Sequence, residues 1–300
     1  MTAKRDVDIV SPDAGLSALA PTLVSDQARP VTVRAGRTLR IALAEGAARA
    51  DTTVFLVHGA GGNQNQWRAV WQALVAQGFR VVAFDLLGHG TSPKPRDRAA
   101  YRGSAMAEDV RAVFERYAGD PKAGARNVVV AHSYGVRLTL AALLALRDAG
   151  RPEVFAKAVL LGAQAPDAGF ASGVFERLPP FVLELMRPMF AKQFRAAAWS
   201  TSTDPALIAA EGRIADRNPM YMVKALFTQG LVPDAQRLGE LTLPVLLLAG
   251  DEDRITPPAG AQALARALPQ AQCRVLAPCG HQLMLEQAAQ TIDALRDFIG

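Results

Sequence analysis

The chain has 300 residues, half of them hydrophobic and a fifth charged, with a formal net charge of +5. That length suits one large α/β domain with room for an inserted subdomain, and that polarity excludes a membrane bundle. The 33 lysines and arginines are scattered and no nucleic-acid motif accompanies them, so the positive balance serves solubility and no nucleic-acid partner is expected.

Residues 1–30 are rich in Ala, Pro, Ser and Asp and read as an N-terminal extension. Lys4 and Arg5 are mixed with Asp6 and Asp8 and no apolar core follows. No signal peptide is expected, and the protein is placed in the cytoplasm. The two cysteines, Cys273 and Cys279, form no disulfide framework and are read as reduced, small buried thiols. The longest apolar runs, at 138–146 and 243–249, are too short to span a bilayer.

A β-hairpin is expected over 31–43, turning at Gly36. A buried strand at 53–57 runs into His58-Gly59-Ala60-Gly61-Gly62 and then an amphipathic helix carrying Trp67, Val70, Trp71, Leu74 and Val75. This glycine turn lacks the G-x-G-x-x-G of a dinucleotide site and the Lys-Ser/Thr of a P-loop. It suits an oxyanion hole better, because it offers backbone N–H groups beside a helix start without a phosphate-sized cradle. Another strand, 80–84, ends in Asp85-Leu86-Leu87-Gly88-His89-Gly90, and a helix follows over 104–117.

The run Val128-Val129-Val130-Ala131-His132-Ser133-Tyr134-Gly135 passes directly into a helical stretch, 136–146. A serine between a buried strand and a helix, flanked by small residues, is the context of a nucleophile elbow; Ala131 stands where the G-x-S-x-G pattern has its first glycine. After a strand at 155–161 the pattern changes. From 164 to 237 the strands vanish, and three or four short helices broken by prolines are expected. The sheet resumes at 243–249, closing on Gly250-Asp251-Glu252-Asp253. A helix at 259–267, a strand at 272–276, Pro278-Cys279-Gly280-His281 and a helix over 282–299 complete the chain. These alternations predict an α/β fold with a doubly wound, mostly parallel sheet. Its core is 31–163 and 238–300, with a helical cap at 164–237.

A serine hydroxyl is a poor nucleophile until a neighbouring base takes its proton, and the base must be held in one tautomer by an acceptor behind it. Ser133, Asp253 and His281 each lie just past a strand's carboxyl end, where open parallel sheets place their active sites. With the five motifs in this order, the chain resembles a capped α/β-hydrolase over about 31–299. Within that fold, 218–222 and 280–286 are similar to the abhydrolase-domain lipases and esterases.

The resemblance implies a serine hydrolase cleaving a carboxylic ester, with Ser133 as nucleophile, His281 as base and Asp253 orienting it. It implies an oxyanion hole from the N–H groups of Ala60 and Tyr134, no cofactor and no metal. Asp251 and Asp85 are rival acids, and His58, His89 and His132 are read as loop anchors. The substrate expected is a small apolar ester. The apolar side chains of 164–237, among them Phe175, Phe181, Leu185 and Met220, either pack that segment or line an acyl pocket. Carbon–carbon bond hydrolysis, perhydrolysis, aminopeptidase activity and a non-catalytic receptor stay open as alternatives.

Overall fold

In the computed structural model, which describes residues 23–169 and 173–300, the apolar runs are strands of one eight-stranded sheet. The chain begins with the hairpin β1 (Arg29–Arg34) and β2 (Arg37–Ala44), then β3 (Arg49–Val57), α1 (Arg68–Ala76), β4 (Phe79–Asp85) and α2 (Gly103–Tyr117). The central pair β5 (Arg126–His132) and α3 (Tyr134–Asp148) follow, then β6 (Lys157–Leu161). Between β6 and the next strand lie α4 (Gly173–Arg177), α5 (Pro180–Leu185), α6 (Arg187–Ala198), α7 (Pro205–Ala215) and α8 (Met220–Gln229). The chain closes with β7 (Val245–Gly250), α9 (Pro258–Ala267), β8 (Ala271–Leu276), α10 (Leu283–Glu286) and α11 (Ala288–Ile299).

The strand order is β1-β2-β4-β3-β5-β6-β7-β8. β2 joins antiparallel to β1 and β4, and all other pairs are parallel. Parallel strands are covered on both faces, which is why they read as continuous apolar runs. The pleat divides them: Val54, Leu56, Val128, Val130, Val159 and Leu161 pack on the side of α1 and α11, where Trp67, Trp71 and Leu295 lie. Phe55, Val57, Val129, Ala131, Ala158 and Leu160 face the side of α2, α3 and α9. There Phe55 and Phe155 meet Phe114 edge-on at centroid distances of 5.2 and 4.7 Å.

Several boundaries differ from the sequence expectation. β3 begins at Arg49 rather than 53, because its first three residues are exposed and carry no apolar signal. β6 begins at Lys157; Phe155 packs ahead of it after a 3₁₀ turn at Pro152–Val154. The terminal helix is two helices, α10 and α11, separated at Gln287 with φ −124° and ψ 52°. Of the expected extension, residues 1–22 lie outside the described residues. Val24 and Ala28 are fully buried against the sheet, so packing starts before the hairpin.

Between β6 and β7 the structure has five helices among the described residues. Phe175, Leu183 and Met220 form a small core there, with Phe227 stacked on Phe175 at 4.5 Å. These side chains fill the insertion's own interior. Phe181 and Leu185 do the opposite: they are 70% and 80% exposed.

Candidate active site

β5 ends in a turn that no ordinary residue adopts without strain. Ser133 has φ 53° and ψ −117° and is the one non-glycine with positive φ among the described residues. Such a conformation costs about 1–3 kcal/mol and persists where its surroundings over-determine it. Here the Ser133 N–H donates to Leu161 O of β6 at 2.9 Å, and its carbonyl accepts the Val136 N–H at 2.9 Å. The turn is tight because α3 starts against the end of β3. A Cβ at position 135 would lie 2.5 Å from His58 O and 2.8 Å from Val57 O, so glycine is required there. Ala131, two residues before Ser133 in the buried strand, leaves the elbow its sharp φ.

The loops after β7 and β8 meet this serine. His281 Nε2 lies 3.0 Å from Ser133 Oγ, and His281 Nδ1 lies 2.8 Å from Asp253 Oδ2. The Asp253 contact assigns the proton to Nδ1, leaving Nε2 as acceptor for the serine hydroxyl. His281 and Asp253 are buried, whereas Ser133 is half-buried and reachable. Oδ1 of Asp253 accepts the backbone N–H groups of Ile255 and Thr256, both at 2.8 Å. The Thr256 hydroxyl donates to Oδ2 at 2.6 Å. Burial pushes the Asp253 carboxyl up, but the hydrogen bonds and charge of His281 and the Thr256 donors outweigh it. The net position is below the usual carboxylate range.

The rival acids are occupied elsewhere. Asp251 Oδ1 accepts the Cys279 N–H at 2.9 Å. Asp85 accepts the Gln64 N–H at 2.9 Å and the Thr91 N–H at 2.7 Å, bracing the loop after β4 against the glycine turn. His89 bonds Leu87 O at 3.0 Å, and His132 bonds the carbonyl of His281 at 2.8 Å. Burial pushes His58 down to about 4 and His89 and His132 down to about 3, so all three are neutral at pH 7. Cys279 is buried and its thiol is pushed well up, first by burial and then by surrounding carboxylates, which removes it as a nucleophile. Among the described residues no group of three or more His, Cys, Asp or Glu could hold a metal ion.

The glycine turn lies against the elbow: a Cβ at Gly59 would sit 2.9 Å from Ser133 Cβ. His58 Nδ1 donates to Gly59 O at 2.8 Å, and Leu86 N–H donates to His58 Nε2 at 2.9 Å. In a trans peptide the N–H opposes the C=O, so anchoring Gly59 O to His58 fixes the direction of the Ala60 N–H. The Tyr134 N–H belongs to the first turn of α3, where N–H groups point out of the helix end.

Three residues given no separate role in the sequence reading complete the site. Thr256 follows Asp253 by three residues, the offset of a side chain–backbone turn. Asn218 Nδ2 donates to Gly61 O at 2.7 Å, tying α8's entry to the glycine turn. Glu286 bonds the backbone on both sides of His281, through Gly280 N at 3.1 Å and Gln282 N at 2.9 Å. In the sequence Asn218 stood out only as the first residue of the 218–222 stretch.

An open parallel sheet with a nucleophile elbow, a histidine and a buried acid at its strand ends defines an α/β-hydrolase-type molecule. The model of the alpha/beta hydrolase fold family matches residues 52–288, and the chain belongs to that family. It is similar to protein ABHD8 of Homo sapiens, 32% identical over 258 residues that cover 84% of this chain. The matched part spans only 56% of that relative's length. Lipase 1 of Psychrobacter immobilis is 24% identical over 271 residues, covering 86% of this chain and 80% of the lipase. A solved thermophilic esterase from Thermogutta terrifontis superposes with a TM-score of 0.73 at 24% identity, covering 91% of this chain and 98% of that one. No helix among the described residues is long and apolar enough to cross a membrane.

Proposed function

We propose that the protein is a cofactor-free serine hydrolase that cleaves a small carboxylic ester with an apolar acyl part. The observation that carries this reading is the unbroken relay from Ser133 Oγ to His281 Nε2 (3.0 Å) and from His281 Nδ1 to Asp253 Oδ2 (2.8 Å). Ser133 Oγ attacks the ester carbonyl carbon while His281 Nε2 takes its proton. The imidazolium that forms is held by the ionised Asp253. The carbonyl oxygen, now carrying the charge, is received by the N–H groups of Ala60 and Tyr134; one such donor is worth about 3–4 kcal/mol of barrier. Collapse expels the alcohol, which leaves with the proton from His281. Water, deprotonated by the same nitrogen, then attacks the acyl-enzyme, and the acid is released with Ser133 restored.

In this reading residues 31–163 and 238–300 form the catalytic core and 164–237 the cap. Relatives whose names are lipase and esterase support an ester rather than an amide substrate. A fluorophosphonate probe is expected to label the wild type and not Ser133→Ala. 4-Nitrophenyl esters of rising acyl length are expected to give rising kcat/KM, each buried methylene contributing about 0.8 kcal/mol. An unlabelled wild type refutes the serine mechanism, and a sharp preference for acetate refutes the apolar acyl site.

A further inference from the structure

The α6–α7 connection of the helical insertion is laid across the two loops that hold the acid and the base. The Ala198 carbonyl, at the end of α6, accepts the His281 N–H at 2.7 Å. The carbonyl before it, Ala197, accepts the N–H of Arg254, the neighbour of Asp253, at 3.0 Å. Gly280 passes so close beneath that a Cβ there would meet Ala198 O and Ser200 N, each at 2.6 Å. Glu252 adds a contact on the acid's side, accepting the Thr201 N–H at 2.8 Å.

One carboxylate joins this connection to the base's loop. Glu286 Oε2 accepts the Ser200 N–H at 2.8 Å, the Thr203 hydroxyl at 2.6 Å and the Gly280 N–H at 3.1 Å. Its Oε1 accepts the Gln282 N–H at 2.9 Å. Two donors belong to the insertion and two flank His281. A charged acceptor makes such bonds roughly twice as strong as neutral pairs.

We propose that Glu286 is a positioning residue that locks the α6–α7 connection of the helical insertion to the His281 loop and so sets the reach of His281 Nε2 to Ser133 Oγ. The inference rests on the serine-hydrolase reading above. With Gly280, His281 and Gln282 each bonded, through Glu286 or Ala198, to the same segment, the base's loop and the insertion move as one body. A displacement of about 1 Å at the reacting atoms can cost about a hundredfold in rate, so docking of the insertion is part of the catalytic geometry and not only a roof over it.

The full chain is compared as wild type, Glu286→Gln, Thr203→Val and Thr203→Ser. The readouts are the rate of fluorophosphonate labelling, kcat and KM on 4-nitrophenyl butyrate, and the melting temperature. Whichever way the substituted amide turns, it sets its NH₂ against at least one backbone N–H. Glu286→Gln is therefore expected to slow labelling and lower kcat about tenfold, with KM changed less than about twofold. Thr203→Val should shift the same quantities in the same direction by less, and Thr203→Ser, which keeps the donor, should restore them.

The role is overturned if folded Glu286→Gln is labelled at the wild-type rate. It is equally overturned if its deficit lies in KM or melting while Thr203→Val equals Thr203→Ser. A wild type that reacts alongside unaffected variants removes only the role of Glu286. A wild type that fails to react removes the serine mechanism, and this inference with it.

Discussion

The Thr256 hydroxyl lies 2.6 Å from Oδ2 of Asp253, the same oxygen that receives the His281 Nδ1 proton at 2.8 Å. Thr256 Oγ1 is also 3.1 Å from that ring nitrogen. The hydroxyl therefore fixes the carboxylate's rotation from the side opposite the backbone donors of residues 255 and 256. Thr256→Val leaves a buried acceptor short of one donor, a loss of about 1–3 kcal/mol. The expected outcome is a drop in kcat of about tenfold, with KM preserved and Thr256→Ser close to wild type. Equal kcat in Thr256→Val and wild type would show that backbone donors alone hold Asp253.

This contact marks where sequence reading stops. Strands such as 128–132 were legible because burial on both faces leaves an unbroken apolar run. The chain order and strand-end placement of Ser133, Asp253 and His281 singled out the three side chains that the structure brings into one relay. Thr256 was not singled out, and Asn218 and Glu286 stood inside the 218–222 and 280–286 stretches with no role of their own. Each acts through one or more hydrogen bonds to backbone or side chain, and such bonds have no periodicity and depend on how distant loops fold together. The start of β3 escaped for a related reason: Arg49 pairs with Phe79 in the sheet while facing solvent.

The buried histidines make stability fall with acid. His58, His89 and His132 titrate at about 4, 3 and 3 in the folded chain against 6.5 when exposed, with burial as the leading cause. Below pH 6.5 the unfolded chain takes up three protons that the folded chain refuses, so the unfolded state gains as pH drops. Three such groups give a slope approaching about 4 kcal/mol per pH unit between pH 6.5 and about 4. That loss reaches the whole stability of an ordinary domain, about 5–15 kcal/mol, within a few units. Melting curves should be level near pH 7–8 and fall steeply below about pH 6. His89→Gln should reduce the slope by about one third. A melting temperature unchanged from pH 7 to 4.5 would contradict the burial of these rings.

Gly162, at the end of β6, gives the imidazoles their room. A Cβ there would lie 3.1 Å from His281 Cε1 and 3.4 Å from His132 Nε2, and its φ is +57°. Gly162→Ala therefore combines backbone strain of about 1–2 kcal/mol with a methyl pressed on the His281 ring. Activity is expected to fall about tenfold or more, while the stability loss stays near the strain alone. If activity falls only as far as the folded fraction does, His281 has shifted freely and the packing at this glycine is loose.

The two apolar populations of the helical insertion predict opposite responses to substitution. Leu183 is fully buried in the small core around Phe175 and Met220, and truncating it to alanine should cost about 2–5 kcal/mol. Phe181 and Leu185 stand 70% and 80% exposed, so they have little burial to lose. Phe181→Ser with Leu185→Ser is expected to leave stability within about 0.5 kcal/mol per site and to raise solubility by removing exposed apolar surface. Calorimetry on these two variants and the wild type at low protein concentration checks this. A large loss in the double serine variant would mean that the face is covered in solution, and a melting temperature that rises with protein concentration in the wild type would identify the cover as a second copy of the chain.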